Sequence, residues 1–265
     1  MNISIRKVVR LFYPYGATRR VLAGPAKGIR FVVEPGIGFT YAVGTSSAAP
    51  RFFGLHVREG MTVYDVGANK GQMAMLFAKL VGESGCVAAF EPAEAEFQSL
   101  RRNVNLNNLH FVRTHRVAVT DVAGDCAFVY HPDHPTQGKL LACEPSYVIP
   151  GGTGVRVPGR TLDSFSDQHG PPDFIKIDVE GAAGFVLRGA ANILDRHAPV
   201  IFIELHGPEE QLAVKDLIES HGYVVQTLTG KVVREPTVGW HNPLFCRPER
   251  TRRSPGATAS DRYTR

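Results

Sequence analysis

Between Thr62 and Pro92 the chain runs through an apolar stretch, Val63-Tyr64-Asp65-Val66, and breaks at Gly67-Ala68-Asn69-Lys70-Gly71. It resumes with helical spacing and returns to Cys86-Val87-Ala88-Ala89-Phe90 before Glu91-Pro92. The pattern is strand, glycine turn, helix, strand, with an acid closing the second strand, which is how a chain builds a nucleoside pocket. Glu91 stands 20 residues beyond Gly71, about the separation at which a nucleotide-binding βαβ unit brings a carboxylate to a ribose diol. Gly67 is expected to let the chain turn off the strand, and Gly71 to let the helix start close to a ligand, because neither carries a Cβ. Backbone amides at such a turn point at an anion. The spacing is GxxxG, not the GxGxxG of nicotinamide and flavin enzymes, and no Gly-Lys-Ser/Thr follows to mark a triphosphate loop. A zwitterionic amino-acid tail fits better. The plainer alternative, a tight βα turn without a ligand, leaves Asp65 and Glu91 unexplained.

Further αβ repeats follow. Phe97 to Leu106 has helical apolar spacing, and Phe111 to Val119 reads as a third strand. Phe174-Ile175-Lys176-Ile177-Asp178 is expected to be a fourth strand, Gly184 to Leu194 its helix, and Val200-Ile201-Phe202-Ile203-Glu204 a fifth. Such apolar runs suit parallel strands covered on both faces. Glu210 to Ser220 reads as another helix, and Tyr223 to Leu228 and Pro243 to Cys246 as closing strands. Residues 129–158, rich in Gly, Pro, His and Tyr, interrupt the repeat. His131, His134 and Tyr147 lie there, either in an acceptor-binding loop or in an irregular hairpin without chemistry.

Asp65-Val66-Gly67-Ala68-Asn69-Lys70-Gly71, Phe90-Glu91-Pro92, Thr161-Leu162-Asp163, Lys176-Ile177-Asp178-Val179-Glu180-Gly181, Leu187-Arg188-Gly189-Ala190 and Glu204-Leu205-His206 occur in this order. Together they resemble the FkbM-type S-adenosylmethionine-dependent methyltransferases over roughly residues 50 to 246. The resemblance implies a three-layer αβα, Rossmann-like class I methyltransferase fold. Its sheet would be mostly parallel and seven-stranded, in the order 3-2-1-4-5-7-6, with an antiparallel last strand. It also implies S-adenosyl-L-methionine as cofactor. Asp65, Gly67, Asn69 and Gly71 match positions around the methionine moiety, Glu91 matches the acid on the ribose hydroxyls, and Ala118, Val119 and Asp121 match the stretch against the base. Asp178 is counted with the cofactor contacts as well as with the chemistry. Phe90 adds an apolar wall or belongs to the core, and Asp163 reads as a helix cap. One departure stands out: the family commonly has Gly-Ala-Glu where this chain has Gly181-Ala182-Ala183. Any acceptor or capping role of that acid is lost here.

Methyl transfer from a sulfonium is an in-line displacement, in which the protein aligns the acceptor and excludes water. An aliphatic hydroxyl must also lose its proton, which calls for a general base or a metal ion. Asp178 and Glu180 close the fourth strand, and Glu204 and His206 close the fifth, so adjacent strands deliver all four to one rim, toward which Asp65 and Glu91 are also expected to point. His206 or Asp178 is the expected base, with Glu180 and Glu204 orienting the partners. Each has a plainer reading as a cap, turn or strand end. Glu204 is the hardest to dismiss, because a carboxylate ending an apolar strand needs a partner. Lys176 is expected to form a structural ion pair. The same oxygens could hold Mg²⁺, although a divalent metal is the less favoured reading.

Composition fits one catalytic domain at 51–247, with an N-terminal helical and entry segment at 1–50 and a basic tail at 248–265 whose Arg, Ser, Thr, Gly and Pro content is that expected of a disordered segment. Residues 1–30 carry seven Lys/Arg and no acid, and 246–265 carry six Arg against two acids; removing these +7 and +4 contributions from the net +5 leaves the body at −6. A nucleic-acid groove is not indicated in that body. No run approaches the ~18 apolar residues of a membrane span. The basic, apolar start reads as a short amphipathic helix that packs on the domain, covers the acceptor site or touches an anionic membrane surface. Cys86, Cys126, Cys143 and Cys246 show no CxxC pairing, which points to reduced thiols and a cytoplasmic location. The expected activity is O-methylation of a sugar or secondary metabolite, with a small-molecule or glycan acceptor. A dehydrogenase-like nucleotide enzyme and a noncatalytic binding protein are the alternatives.

Overall fold

The structure, a computed structural model of the 265-residue chain, describes residues 9, 11–44, 49–131, 134–140, 153–233 and 244–248. The strand, turn and helix of the opening motif are β3 (Thr62–Val66), α3 (Gln72–Val81) and β4 (Cys86–Phe90), preceded by β1 (Thr18–Arg20), β2 (Arg30–Val32), α1 (Phe39–Ala42) and α2 (Ala49–His56). The chain continues through α4 (Glu94–Leu106), β5 (Val112–His115), β6 (Ala118–Val119), β7 (Gly124–His131), β8 (His134–Leu140), β9 (Thr153–Arg160) and α5 (Leu162–His169). Then come β10 (Phe174–Ile177), α6 (Ala183–Arg188), α7 (Ala191–Arg196), β11 (Val200–Ile203), α8 (Pro208–His221), β12 (Tyr223–Thr227) and β13 (Leu244–Pro248).

The main sheet has seven strands in the order β12-β13-β11-β10-β3-β4-β5. β11, β10, β3, β4 and β5 are parallel neighbours, and β13 lies antiparallel between β11 and β12. Counted within the sheet, this is the order 3-2-1-4-5-7-6 with an antiparallel last strand. The apolar runs alternate between two faces, as the period-2 geometry of a strand requires. Val63, Val87, Phe174 and Phe202 pack on one side with Phe53, Met75, Phe77 and Leu100. Tyr64, Ile175, Ile177, Ile201 and Ile203 pack on the other with Phe165, Val186, Ile193 and Val214. Helices therefore cover both faces, and the molecule is an α/β sandwich of the expected kind.

Three expectations about elements need correction. The third strand, expected over Phe111 to Val119, ends at His115; Ala118 and Val119 leave it to pair with β9 in a separate four-stranded sheet, β6-β9-β7-β8. The polar run Arg113-Thr114-His115-Arg116 marks the departure, after which Val117-Ala118-Val119 starts a new apolar stretch. The supposed irregular insert at 129–158 is instead largely sheet from Gly124 to Arg160, among the described residues. His131 and His134 pair across the β7–β8 turn, while Cys143 and Tyr147 lie outside the described residues. The single helix expected over Gly184 to Leu194 is two, α6 and α7. Its break at Gly189 brings backbone against backbone, since an added Cβ there would meet Thr120 O at 2.2 Å. Asp163 then caps α7 by accepting from Asn192 N and Ile193 N, both at 3.0 Å, whereas Thr161 caps its own helix.

The N-terminal strands dock through α4. Asn107 exchanges two hydrogen bonds with the backbone of Arg30, and Asn103 accepts from Val32 N and donates to Lys70 O. Asn103 thus ties β2 to the glycine turn, while Asn107, at the C-cap of α4, holds the start of β2. The amphipathic start and the basic tail fall outside the described residues, apart from residues 9, 11 and 12. Among the described residues, no helix is long and apolar enough to cross a membrane.

Candidate active site

A cleft of about 240 Å³ opens at the carboxyl ends of β3, β4 and β10, where the connections of a parallel sheet part. Gly67, Asn69, Lys70, Phe90, Glu91 and Ala118 are in its wall, and Asp178 and Glu180 stand at its edge with Val179. The floor owes its shape to local backbone. Gly67 has φ 79°, and an added Cβ would meet Asp178 O at 1.9 Å. Only glycine lets the β3 turn lie directly against the end of β10. Asn69, with φ 48°, is also left-handed and directs its N–H inward to Glu91.

Glu91 is the centre of this wall. It is 6% exposed, and its two carboxylate oxygens accept from Asn69 N at 2.8 Å and Ala93 N at 2.9 Å. Burial pushes its carboxyl up to about 7 against the pull of those two N–H groups. Each oxygen has a second lone pair, so the group can still accept from ligand hydroxyls.

Asp65 and Gly71 are placed differently from expectation. Asp65 does not line the cleft; it is completely buried on the Phe174 side of the sheet, opposite Lys176 in register. Its Oδ1 lies 3.5 Å from Lys176 Nζ, too loose for a hydrogen bond of good geometry, and burial raises its carboxyl. Strand alternation decides this: Val66 follows on one face, so Asp65 faces the other. Gly71 is the left-handed N-cap of α3, where an added Cβ would meet Leu100 Cδ1 at 2.6 Å, and it is not among the residues lining the cleft. Asp121 is likewise outside the cleft, bound to Arg188 at 2.9 Å, although Ala118 and Val119 do line it. Phe90 is both wall and core, with ring contacts to Tyr64 and Phe165.

The expected rim does assemble. β10 and β11 pair in register at Ile177 and Ile203, so the residues after them emerge side by side. Asp178 Oδ2 lies 3.1 Å from Lys176 Nζ, and its Oδ1 is 2.9 Å from His206 Nε2. His206 Nδ1 faces Glu180 Oε2 at 3.5 Å. Lys176 also donates to Gly67 O at 3.1 Å, so the expected ion pair is a buried hub between turn and rim. Burial disfavours the charge on Lys176, but Asp178 and Asp65 outweigh it and hold the ammonium protonated. Burial would raise Asp178, yet Lys176 and the hydrogen bond from His206 keep it well below the usual carboxylate range. His206 is raised to about 9: burial works against its charge, and Asp178 and Glu180 overcome that.

Sequence reasoning missed Glu210. This fully buried acid at the start of α8 accepts from Gly181 N at 3.0 Å and from His206 N. One carboxylate therefore clamps the turn after β10 to the turn after β11. Burial pushes it up to about 7. The only signal in the sequence is an acid in the first turn after Gly207-Pro208, which ordinarily reads as a helix-dipole partner facing solvent.

One ligand atom each from Asp178, Glu204 and His206 lies within 4.8 Å of the others, a spacing that could hold a metal ion. However, Lys176 already supplies a cation to Asp178, and His206 faces that same carboxylate with Nε2. The donor set fits proton handling better.

The FkbM methyltransferase domain matches residues 65–228, more than half of the chain. The chain belongs to the FkbM methyltransferase family. A 31-O-demethyl-FK506 methyltransferase FkbM from Streptomyces tacrolimicus is 42% identical over 199 residues, 65% of this chain and 76% of that one. Methyltransferase 1 of Beauveria bassiana is 28% identical over 185 residues, 62% of this chain and 72% of that one. A crystal structure of methyltransferase FkbM from Methylobacillus flagellatus KT superposes with a TM-score of 0.48 at 17% identity, over 70% of this chain and 43% of that one. FkbM membership makes the protein a methyltransferase and implies S-adenosylmethionine as methyl donor.

Proposed function

We propose that this FkbM protein methylates a hydroxyl oxygen on a sugar or secondary-metabolite acceptor, a small molecule or glycan, with His206 as general base. The observation that carries the reading is the Asp178–His206 pair, 2.9 Å apart, at the edge of the cleft that contains Glu91. The residues fit S-adenosylmethionine: Glu91 presents a buried carboxylate to ribose hydroxyls, Gly67 and Asn69 offer backbone to the methionine part, and Ala118, Val119 and Phe90 give an apolar wall for the base. Bound there, the donor supplies an electrophilic methyl carbon on a sulfonium.

The chain's own work is then positioning and proton removal. Asp178 is held anionic by Lys176 and so is a weak base, but it fixes the imidazole through Nε2. The opposite ring edge, at Nδ1, faces the half-exposed Glu180, and an acceptor hydroxyl entering there would give its proton to the ring. Glu204, beside Asp178 and His206, adds negative charge that stabilises the imidazolium formed. Deprotonating the attacking oxygen in this way contributes ~10²- to 10⁴-fold to such reactions. The FK506 methyltransferase relative, named for an O-demethyl substrate, supports oxygen as the acceptor atom.

The test is mass and NMR analysis of products after incubation with S-adenosylmethionine and a panel of glycans and polyketides. A gain of one methyl group, located on oxygen, is expected. Methylation on nitrogen or carbon, or cofactor binding without transfer to any hydroxyl compound that binds the cleft, would oppose it. Calorimetric titration with NAD should show no binding.

A further inference from the structure

Among the described residues several exposed apolar side chains, such as Leu55, Val122 and Leu212, are scattered singly, but one group is clustered. Leu11 is 78% exposed, Phe12 66%, Leu22 57% and Phe39 42%, and they gather where the N-terminal segment meets α1. Val9, Leu11, Phe12, Tyr13, Arg19 and Phe39 line a shallow groove there. The ring of Tyr13 packs edge-on against Phe39 at 5.5 Å, Arg19 lies over Tyr13 and donates to Phe12 O, and Leu22 N bonds Ala42 O at the far end of α1. The platform is therefore built into the fold, with its large side chains in solvent.

Its charge is as one-sided as its hydrophobicity. No acid occurs in the first 33 residues, while the segment to residue 30 carries seven Lys/Arg. Arg20 and Lys27, from the same segment, are exposed. The first acid of the chain, Glu34, turns inward to Lys70 and Arg102 and does not neutralise the platform. Exposed apolar groups on a segment that carries cations and no acid of its own match the interface of an anionic bilayer: apolar groups enter the headgroup boundary and cations meet the phosphates and carboxylates. A protein partner would not demand this exclusion of acids.

We propose that the Leu11/Phe12/Leu22/Phe39 platform docks the enzyme on an anionic membrane surface. The proposal does not depend on the identity of the acceptor.

The experiment is co-sedimentation of the full chain with phosphatidylcholine vesicles, with and without about one-third phosphatidylserine. Binding is expected only to the anionic vesicles. It should fall as salt is raised from about 0.1 M to about 1 M, where the screening length shrinks from about 10 Å to about 3 Å. The double variant Leu11→Ser/Phe12→Ser should lose at least about tenfold in partitioning. Arg20→Glu/Lys27→Glu, which changes only exposed side chains, should do the same with an unchanged melting temperature, so a folding failure of the first variant does not decide the matter. Three outcomes would overturn the proposal: no binding to anionic vesicles, equal binding to neutral ones, or binding unaffected by the Arg20/Lys27 variant. A concentration-dependent dimer abolished by the same substitutions, without vesicle binding, would assign the surface to a second copy instead.

Discussion

The behaviour of single residues here follows from what each is pressed against. Glu91 is an acid inside a wall, raised to about 7 by burial, and its ionised form is the one that accepts from ribose hydroxyls. S-adenosylmethionine affinity, measured by calorimetry, is therefore expected to weaken as pH falls through about 7 and the carboxylate takes up its proton. Glu91→Gln keeps the shape and removes the charge, and should weaken binding by ~1 to 3 kcal/mol; unchanged affinity would remove the ribose assignment. Gly67 was legible as a turn glycine, but the reason for it was not. Sequence reasoning gave it freedom to turn, whereas the structure shows the carbonyl of Asp178 occupying the place of a Cβ. Gly67→Ala should therefore destabilise the fold by at least ~1 to 3 kcal/mol in urea titration, and cofactor binding should fall with it. Asp65 shows the opposite error. Its place in the motif suggested a ligand contact, and only the face alternation of β3 against Lys176 reveals a structural acid.

At the scale of elements, β10 and β11 matter most, because their register sets the rim. The four rim residues were legible since two adjacent parallel strands must end at the same edge of the sheet. The Glu210 clamp was not, because it depends on how α8 lies over two turns, a tertiary relation with no sequence period. The Asp65–Lys176–Asp178 chain lies within this layer, and its cost can be measured. Lys176→Met leaves Asp65 buried without its cation and should cost ~3 to 5 kcal/mol in unfolding free energy. Adding Asp65→Leu should recover most of the loss, because a buried pair replaced by apolar groups is often neutral. A double variant as unstable as the single one would show that the pair does more than neutralise itself. The same Lys176 argues against a metal at Asp178, Glu204 and His206, so dialysis against a chelator should leave turnover unchanged. A loss restored by Mg²⁺ would reverse that assignment.

For the whole molecule, the seven-stranded sheet was legible from apolar runs and glycine turns, since buried parallel strands have few other ways to appear in a sequence. The second sheet was not, because its strands interrupt the repeat and its turn residues look like those of a loop. The stability of the ligand-free protein should also carry the mark of its site. Glu91 and Glu210 have folded values raised to about 7, so the folded state holds their protons more tightly than the unfolded chain does. His206, raised to about 9, does likewise for its proton. These contributions are present at lower pH and disappear as pH rises, between about 4.5 and 7 for the two acids and between about 6.5 and 9 for the histidine. Melting temperature should therefore decline from mildly acidic pH toward pH 9, and a flat profile would contradict the burial of these groups. The central claim joins cleft to rim: a methyl donor at Glu91 and a proton acceptor at His206. Single-turnover methyl transfer to a hydroxyl acceptor, compared between the native chain and His206→Ala with cofactor affinity checked in both, tests it most directly. The prediction is equal cofactor affinity, a variant slowed ~10²- to 10⁴-fold, and a native rate that climbs with pH toward about 9. A variant that transfers methyl at the native rate would contradict it.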